Sequence, residues 1–377
     1  MKHSTTRILT THAGSLIRPE ELLALKPDDP AYGDVLRRSV AEVVKRQAEA
    51  GVDVVSDGEF GKSGFHIYTS ERLSGIETVD GPSGGIMPGE DARRFEDFYR
   101  KNIPGDVRKR IVTGPIQYTG HAAIQQDLAN LKAALAVVQV EEAFLPVIAP
   151  SSVLSARAWN DDIDQHYPTA EAFLYGLADA LSVEYRTIAE SGLLVQIDDP
   201  SLPLGWDRML PNITVEDFRT WCELRVEVLN HALRGIPRDR VRYHICWGSW
   251  NAPHTTDVEL KHIADVILRI NAGAFSIEAA NPRHEHEWRV WETVKLPDEA
   301  VLIPGVVTHS TNVVEHPELV AERIVRFARL VGRERVIAGT DCGFAQIAGY
   351  QRVHPTIMWA KLETLAQGAK LASSELF

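Results

Sequence analysis

The stretch Val241-Arg242-Tyr243-His244-Ile245-Cys246 has an apolar strand pattern whose last residues include two metal-binding side chains. Side chains spaced i, i+2 on a strand point to the same face, so His244 and Cys246 share one. An imidazole and a thiolate placed in this way could hold one metal ion, and zinc favours such ligands. The alternative is that both are ordinary buried strand residues.

Two later strand patterns also end in zinc-binding groups. Ala274-Phe275-Ser276-Ile277 leads directly to Glu278, and Val336-Ile337-Ala338-Gly339-Thr340 leads through Asp341 to Cys342. The sequence therefore predicts a Zn²⁺ site formed by His244, Cys246 and Cys342, with Glu278 expected as the fourth ligand. Two cysteines and a histidine leave one position for a carboxylate, water or substrate. Such an open position is typical of catalytic zinc. The remaining cysteine, Cys222, lies on a helical pattern and is expected to pack as a small apolar residue.

Strand and helix patterns alternate along the whole chain. The predicted strands are Ile8–Thr11, Val52–Ser56, Ile111–Thr113, Leu145–Ala149, Leu194–Ile197, Val241–Cys246, Ala274–Ile277, Val301–Val307 and Val336–Thr340. The predicted helices are Val35–Ala50, Leu128–Val138, Phe173–Ser191, Leu260–Asn271 and Leu319–Val331. This alternation without a break in composition indicates an α/β protein, a (β/α)8 barrel in a single domain over residues 1–377. An open doubly wound sheet is the alternative.

The chain is longer than a minimal barrel. Residues 67–110 lack the strand-helix rhythm and contain the glycine-rich run Asp80-Gly81-Pro82-Ser83-Gly84-Gly85, so we expect an insertion there, after the second strand.

Other predicted strands end in polar groups as well. Asp57 and Glu59 follow the second strand, Asp198 and Asp199 follow another, and His309 follows Val301–Val307. Each could singly be a solvated loop residue. Because barrel active sites form at the carboxyl ends of the strands, we expect these groups to line one common opening.

Composition excludes several classes of protein. The chain has 377 residues, 44% of them hydrophobic, and a net charge of -12 without a concentrated Lys/Arg block, which argues against nucleic-acid and anionic-membrane partners. No apolar run approaches membrane-spanning length. The N-terminus lacks a signal-peptide pattern and only three cysteines are present, so we expect a cytoplasmic protein with reduced thiols. A homo-oligomer is also expected. Gly58–Ser63 resembles a phosphate loop, but Ser56 occupies the position of the required first glycine.

The motifs together resemble the C-terminal catalytic barrel of cobalamin-independent methionine synthase. His244-x-Cys246, Glu278 and Cys342 are similar to its zinc ligands. The similarity continues, in order, through Thr10-Thr11-His12-Ala13-Gly14-Ser15, Asp57-Gly58-Glu59, Gly114-Pro115 at a third-strand turn, Ile197-Asp198-Asp199-Pro200 and Thr308-His309-Ser310.

The resemblance implies roles for further residues. Glu59 and Asp198 would hold the ammonium of homocysteine, Gly14 and Ser15 would help to hold its carboxylate, and His309 would serve as proton donor. The methionine synthases carry an acid two residues before that histidine, where this sequence has Val307.

Single-barrel enzymes that alkylate other thiols share the fold and the zinc site. Epoxyalkane:coenzyme M transferase (2-hydroxypropyl-CoM lyase) is one, and the chain resembles it too. We therefore expect zinc-dependent transfer of a small alkyl donor to a small thiol, coenzyme M or homocysteine. Opening of an epoxide by coenzyme M is favoured, since no folate-binding N-terminal barrel is present in the sequence.

Two alternatives stay open. Glu59 and Asp198 favour a single-barrel methionine synthase, because an ammonium needs acids and a sulfonate does not. A non-enzymatic zinc-stabilised binding protein is the other alternative. For the coenzyme M interpretation, the candidate sulfonate ligands are Arg18, Lys62 and Arg283, and the candidate acids besides His309 are His284 and His286.

Overall fold

The computed structural model describes residues 1–79, 89–102, 109–153, 163 and 165–377. The glycine-rich run from Asp80 to Gly85 therefore lies outside the described residues. The strands are β1 (Leu9–Thr10), β2 (Val54–Val55), β3 (Leu73–Val79), β4 (Lys109–Tyr118), β5 (Glu142–Ile148), β6 (Leu194–Asp198), β7 (Val241–Ile245), β8 (Ala274–Ile277), β9 (Val301–Val307) and β10 (Ile337–Thr340).

Eight parallel strands form a barrel. Their order is β1-β10-β9-β8-β7-β6-β5-β2, and a parallel bridge between Thr11 and Val54 brings the two edge strands together. From β5 to β9, each strand pairs with the next strand of the chain, which is the arrangement of a (β/α)8 barrel. The predicted barrel is thus confirmed, and the open sheet is excluded.

Helices cover the outside of this barrel. The α-helices are α1 (Glu20–Leu23), α2 (Tyr32–Glu49), α3 (Thr69–Arg72), α4 (Glu90–Arg94), α5 (Glu96–Asn102), α6 (His121–Leu135), α7 (Pro150–Val153), α8 (Ala170–Glu190), α9 (Ser201–Met209), α10 (Val215–Ala232), α11 (Ala264–Ile267), α12 (Pro317–Val331) and α13 (Pro355–Leu376). Short 3-10 turns occupy Arg238–Arg240, Leu260–His262, Glu285–Glu292 and Arg333–Arg335. Within the described ranges, no helix combines the length and the apolar content needed to cross a membrane.

The predicted helix over Leu260–Asn271 is shorter than expected. A 3-10 turn at Leu260–His262 and the brief α11 replace it, yet Leu260, Ile263 and Ile267 are buried as the periodicity requires. Two short turns satisfy the same apolar pattern, so periodicity alone overestimated the length of the helix.

One predicted barrel strand is wrong. Ile111–Thr113 belongs to β4, which pairs antiparallel with β3 in a separate two-stranded sheet, and Gly114-Pro115 lies within β4 and not at the end of a barrel strand. Side chains of β4 alternate between buried Val112, Ile116 and Tyr118 and their more exposed neighbours. That alternation is typical of a strand with one solvent-exposed face, whereas barrel strands are buried on both faces.

A buried ion-pair network attaches this hairpin to the barrel helices. Arg72, which ends α3 at the base of β3, donates to Glu184 of α8 and to Asp127 of α6, each at 2.5 Å. The three side chains are at most 6% exposed. One guanidinium therefore pairs with two buried carboxylates.

We predict that Arg72→Leu lowers the free energy of unfolding by about 3–5 kcal/mol, because it leaves Asp127 and Glu184 buried without a partner. Urea denaturation followed by circular dichroism gives the measurement. The control is Arg37→Leu, which breaks an ion pair with Asp34 that is 61% and 68% exposed and should lose less than about 1 kcal/mol. Equal losses in both variants would contradict this account.

Candidate metal and thiol-binding site

Three predicted ligands meet at the carboxyl end of the barrel. His244 and Cys246 stand at the end of β7, and Cys342 follows β10. One ligand atom from each lies within 4.8 Å of the others, and all three side chains are buried. The barrel has brought a strand tip and a distant loop to one point, as the sequence predicted.

The ring of His244 is oriented for metal binding. Its Nδ1 lies 3.0 Å from the hydroxyl of Ser276, the residue directly opposite on β8. Its Nε2 is buried, has no nitrogen or oxygen partner among the described residues, and interacts with the thiol of Cys342. A histidine with one nitrogen fixed by a neighbouring group and the other free is the usual arrangement of a metal ligand.

The two thiols compete for one proton. The contact with Cys342, followed by burial, raises the pKa of Cys246 well above its ordinary value. The same contact with Cys246, supported by His244, holds the pKa of Cys342 well below its ordinary value. A divalent cation could replace the shared proton and use the free lone pair of His244, so these residues fit Zn²⁺.

Glu278 is buried nearby but is not one of the three grouped ligands. Its Oε1 accepts a hydrogen bond from the Trp247 amide at 2.9 Å, and its Oε2 accepts one from Asn281 Nδ2 at 3.0 Å. The carboxylate would have to exchange one of these bonds for the metal. Its role as a fourth ligand stays a prediction.

Two buried acids lie at the same end of the barrel. Burial raises the pKa of Asp198 to about 8, and the charges of Glu59 and Cys342 add to this effect. Burial raises the pKa of Glu59 to about 7, against the opposing charges of Lys62 and Arg18. A cationic ligand between these acids would relieve the unfavourable burial of their negative charges.

The loop after β1 closes this part of the site. Gly14 has φ +126°, and an added Cβ would lie 2.9 Å from Glu59 Oε1, so only glycine fits beside that carboxylate. The Ser15 carbonyl accepts from the Phe344 amide at 2.8 Å, and its hydroxyl accepts from the Ala345 amide at 3.3 Å. Gly14 and Ser15 therefore sit against both the acids and the loop that carries Cys342.

His309 lies on another side of the site. It is buried, its Nε2 is 2.9 Å from the Ser249 hydroxyl, and burial lowers its pKa. Ser249 in turn contacts Gln346 and Arg352 at 2.5 and 2.7 Å. No sequence pattern pointed to these three residues, because they lie in loops beyond the strand ends. The available signal was closeness along the chain to a predicted ligand, of Ser249 to Cys246 and of Gln346 to Cys342.

The cations proposed for a sulfonate are engaged elsewhere. Arg18 donates to the carbonyls of Glu59, Lys62 and Ala345 at 2.6, 2.7 and 3.2 Å. Lys62 donates to the Pro146 carbonyl. Arg283 Nε donates to the His254 carbonyl at 2.9 Å. These bonds to main-chain oxygens give the three cations structural tasks.

His284 is also committed to the scaffold. Its Nε2 contacts Asp257 at 3.0 Å, its Nδ1 contacts Glu287 at 2.9 Å, and its ring stacks on Trp247 with 3.8 Å between centroids. Burial disfavours the charged ring, but the two carboxylates outweigh it and raise the pKa of His284 to about 10. Since both ring nitrogens are occupied, His284 is neither a free acid nor a second metal ligand.

Comparison with known proteins agrees with this geometry. Residues 147–360 match the family described as the catalytic domain of cobalamin-independent synthase. The chain is 22% identical to a 2-hydroxypropyl-CoM lyase from Xanthobacter autotrophicus, over 93% of this chain and 89% of that protein. It is 21% identical to a methionine synthase from Thermococcus kodakarensis, over 97% and 94% of the two chains.

A solved structure shares the fold. It is a B12-independent methionine synthase from a Shewanella species in complex with selenomethionine, with a TM-score of 0.75 and 19% identity over 98% of this chain and 99% of that one. At this identity the likeness supports the barrel architecture alone.

We predict that Cys246→Ala and Cys342→Ala lose bound zinc, because each removes a thiolate from the three-ligand group. Glu278→Gln should lose less, since its carboxylate is not in that group. Elemental analysis of the purified proteins measures the metal, and Cys222→Ala, buried on α10, is the matched control. Full zinc retention in both ligand variants would refute the site.

A second prediction concerns stability and pH. The folded-state pKa of His284 is about 10, above its unfolded value of 6.5, so its contribution to stability is complete below about pH 6.5 and is lost as the pH rises towards 10. His284→Gln should flatten the decline in the free energy of unfolding over this range, measured by urea denaturation. Glu287→Gln should flatten it in part. An unchanged slope in His284→Gln would contradict the assignment.

Proposed function

The chain belongs to the cobalamin-independent synthase catalytic-domain family, and from this premise we propose that it transfers an alkyl group to a small thiol at a zinc site formed by His244, Cys246 and Cys342. It is an enzyme of the thiol alkyltransferase type. A non-enzymatic binding protein is therefore set aside. When bound, zinc would lower the pKa of the acceptor thiol and supply a thiolate at neutral pH.

The pair of buried acids carries our proposal for the acceptor. Glu59 and Asp198 are buried close enough to interact with each other and with Cys342. A thiol that carries an ammonium group would pair with both carboxylates while its sulfur reaches the metal ligands. Homocysteine has this chemistry, so we propose the methionine synthase type of reaction, methylation of homocysteine, as the first candidate.

This proposal departs from the preference that the sequence suggested. Burial raises the pKa of Glu59 to about 7 and that of Asp198 to about 8, so a nearby cation would favour their ionised forms. An ammonium group would supply that cation and a sulfonate would not, while Arg18, Lys62 and Arg283 all donate to main-chain carbonyls. We therefore place an amino thiol ahead of coenzyme M as the acceptor.

Opening of an epoxide by coenzyme M is the second candidate. It is favoured by the similarity to the Xanthobacter lyase along 93% of the chain. Arg352, which was not among the predicted sulfonate ligands, supplies a cation near Cys342 and Cys246. The charges of both thiolates act on its guanidinium.

Two buried acids and the loop after β1 would hold the amino acid group of the thiol. Glu59 and Asp198 would fix the ammonium, and the loop at Gly14 and Ser15 would hold the carboxylate beside the Cys342 loop. The buried surroundings exclude water from the thiol, which strengthens each of these charged contacts. The acceptor would thus be oriented by its amino acid group before its sulfur reacts.

Calorimetric titration of the zinc-loaded protein separates the two candidates. We predict that homocysteine binds and that Glu59→Gln and Asp198→Asn each weaken its binding by about 1–3 kcal/mol, the usual loss for a charged hydrogen bond. Glu171→Gln, at an exposed carboxylate in the first turn of α8, is the control and should bind as the wild type does.

Coenzyme M supplies the opposing outcome. Tight binding of coenzyme M with no response to homocysteine, unaffected by either acid substitution, would reject the first candidate and support the second.

A further inference from the structure

The hydroxyl of Ser249 is the centre of a buried hydrogen-bond cluster near the thiol site. Three nitrogen atoms surround Ser249 Oγ: Arg352 Nη1 at 2.7 Å, Gln346 Nε2 at 2.5 Å and His309 Nε2 at 2.9 Å. Ser249 is 4% exposed and His309 is 2% exposed, whereas Gln346 and Arg352 are half-buried. Ser249 and His309 therefore depend on partners within the cluster.

Two of the three neighbours can only donate. One hydrogen of Arg352 Nη1 points to Ser249, and its second is used by Gln346 Oε1 at 2.7 Å. The amide nitrogen of Gln346 donates to Ser249 and to the Gly343 carbonyl. The orientation of the Gln346 amide is therefore fixed, because its oxygen faces a donor and its nitrogen faces a carbonyl.

The proton of Ser249 has one acceptor left. A hydroxyl oxygen has two lone pairs, and Arg352 and Gln346 occupy both. The hydroxyl must then donate to His309 Nε2, so this nitrogen carries no proton. The Ser249 carbonyl oxygen lies farther away, 3.3 Å from His309 Nε2. If Nε2 carried a proton and donated it to this carbonyl, the Ser249 hydroxyl hydrogen would have no acceptor.

The other nitrogen of the ring is free. His309 Nδ1 is buried and has no hydrogen-bond partner among the residues that the structure describes. In a neutral ring without a proton on Nε2, Nδ1 must carry it. Val307, two positions earlier on β9, is apolar and fully buried, and it supplies no charge to alter this assignment.

We propose that Arg352 and Gln346 are positioning residues that act through Ser249 to hold His309 as the neutral Nδ1–H tautomer, with this N–H free to donate a hydrogen bond to the alkyl donor. The hydrogen bond would go to the donor atom that keeps the electron pair when its bond to carbon breaks and the carbon–sulfur bond forms. That atom then takes up a proton from solvent, which balances the proton that the thiol releases to solvent on ionisation. This role rests on the proposed alkyl transfer. It makes His309 a neutral hydrogen-bond donor, in contrast to the proton donor that the resemblance implied.

The position of His309 suits that role. Its ring is close enough to Cys342 and Glu278 for their charges to act on it, so His309 lies near the region where the thiol would react. The guanidinium of Arg352 adds a positive charge on the Nε2 side, which disfavours a second proton on the ring. A neutral imidazole can stabilise developing negative charge by hydrogen bonding without a net proton transfer.

Nuclear magnetic resonance of the zinc-loaded protein labelled with ¹⁵N-histidine tests the tautomer directly. The signal of His309 is assigned by its loss in His309→Gln. We expect the Nδ1–H pattern at pH 7 in the wild type. Ser249→Ala and Arg352→Met should each shift the pattern of His309 towards Nε2–H. Ser249→Ala removes the hydroxyl that donates to Nε2, and Arg352→Met frees a lone pair on Ser249 that can accept from Nε2–H.

Kinetics provide the second readout. Both variants should lower kcat by about tenfold or more, as loss of a supporting hydrogen bond commonly does, while KM for the thiol changes less than twofold. Arg326→Met removes a cation that lies 5.3 Å from the Trp288 ring on the outer helix α12. This control should keep both the tautomer and kcat.

The outcomes separate the two proposals. A protonated or Nε2–H His309 in the wild type, or an Nδ1–H pattern unchanged in both variants, would overturn the positioning role. An Nδ1–H pattern that responds as expected, in a protein that alkylates neither homocysteine nor coenzyme M, would leave the tautomer assignment intact and reject the alkyl transfer. If Ser249→Ala does not fold, Arg352→Met still decides.

Discussion

Hydrogen bonding between parallel strands fixes where each barrel strand ends along the barrel axis. The arrangement of the whole site depends on these end positions. The register pairs Asp198 with His244 and His244 with Ser276 across three neighbouring strands. Because parallel strands keep the same direction, their carboxyl ends form one rim. A shift of one residue in any of these pairs would turn His244 away from Cys342 and its ring away from Ser276.

The distribution of charge within this rim follows from burial. Glu59 and Asp198 are buried acids without an ion-pair partner at bonding distance among the described residues, and burial raises their pKa values. Buried cations such as Arg18 and Lys62 are bonded to carbonyl oxygens instead. The scaffold cations are thus satisfied, and the acids and thiols are the groups that need a partner. That difference separates side chains that build the site from side chains that receive a ligand.

The sequence was informative where a pattern repeats. Barrel strands buried on both faces read as continuous apolar runs, so their number, order and polar tips could be predicted, and with them the grouping of His244, Cys246 and Cys342. The antiparallel hairpin was misjudged at Ile111–Thr113 because a short apolar run does not reveal its pairing partner. Ser249, Gln346 and Arg352 could not be predicted, since their contact depends on how two loops fold over the rim. The carboxylate of Glu278 was expected at the metal, and its hydrogen bonds to Trp247 and Asn281 depend on local geometry that no spacing rule contains.

The three carbonyl contacts of Arg18 have a consequence for the thermodynamics of ligand capture. This one side chain joins the loop after β1 to the loop after β2, through Glu59 and Lys62, and to the loop after β10, through Ala345. Loops that are cross-linked in this way are ordered when the chain folds, so little conformational entropy remains to be lost when a small molecule enters. The part of the rim formed by these three loops is preorganised, and a compact ligand with few atoms could therefore bind there without a large rearrangement of these loops.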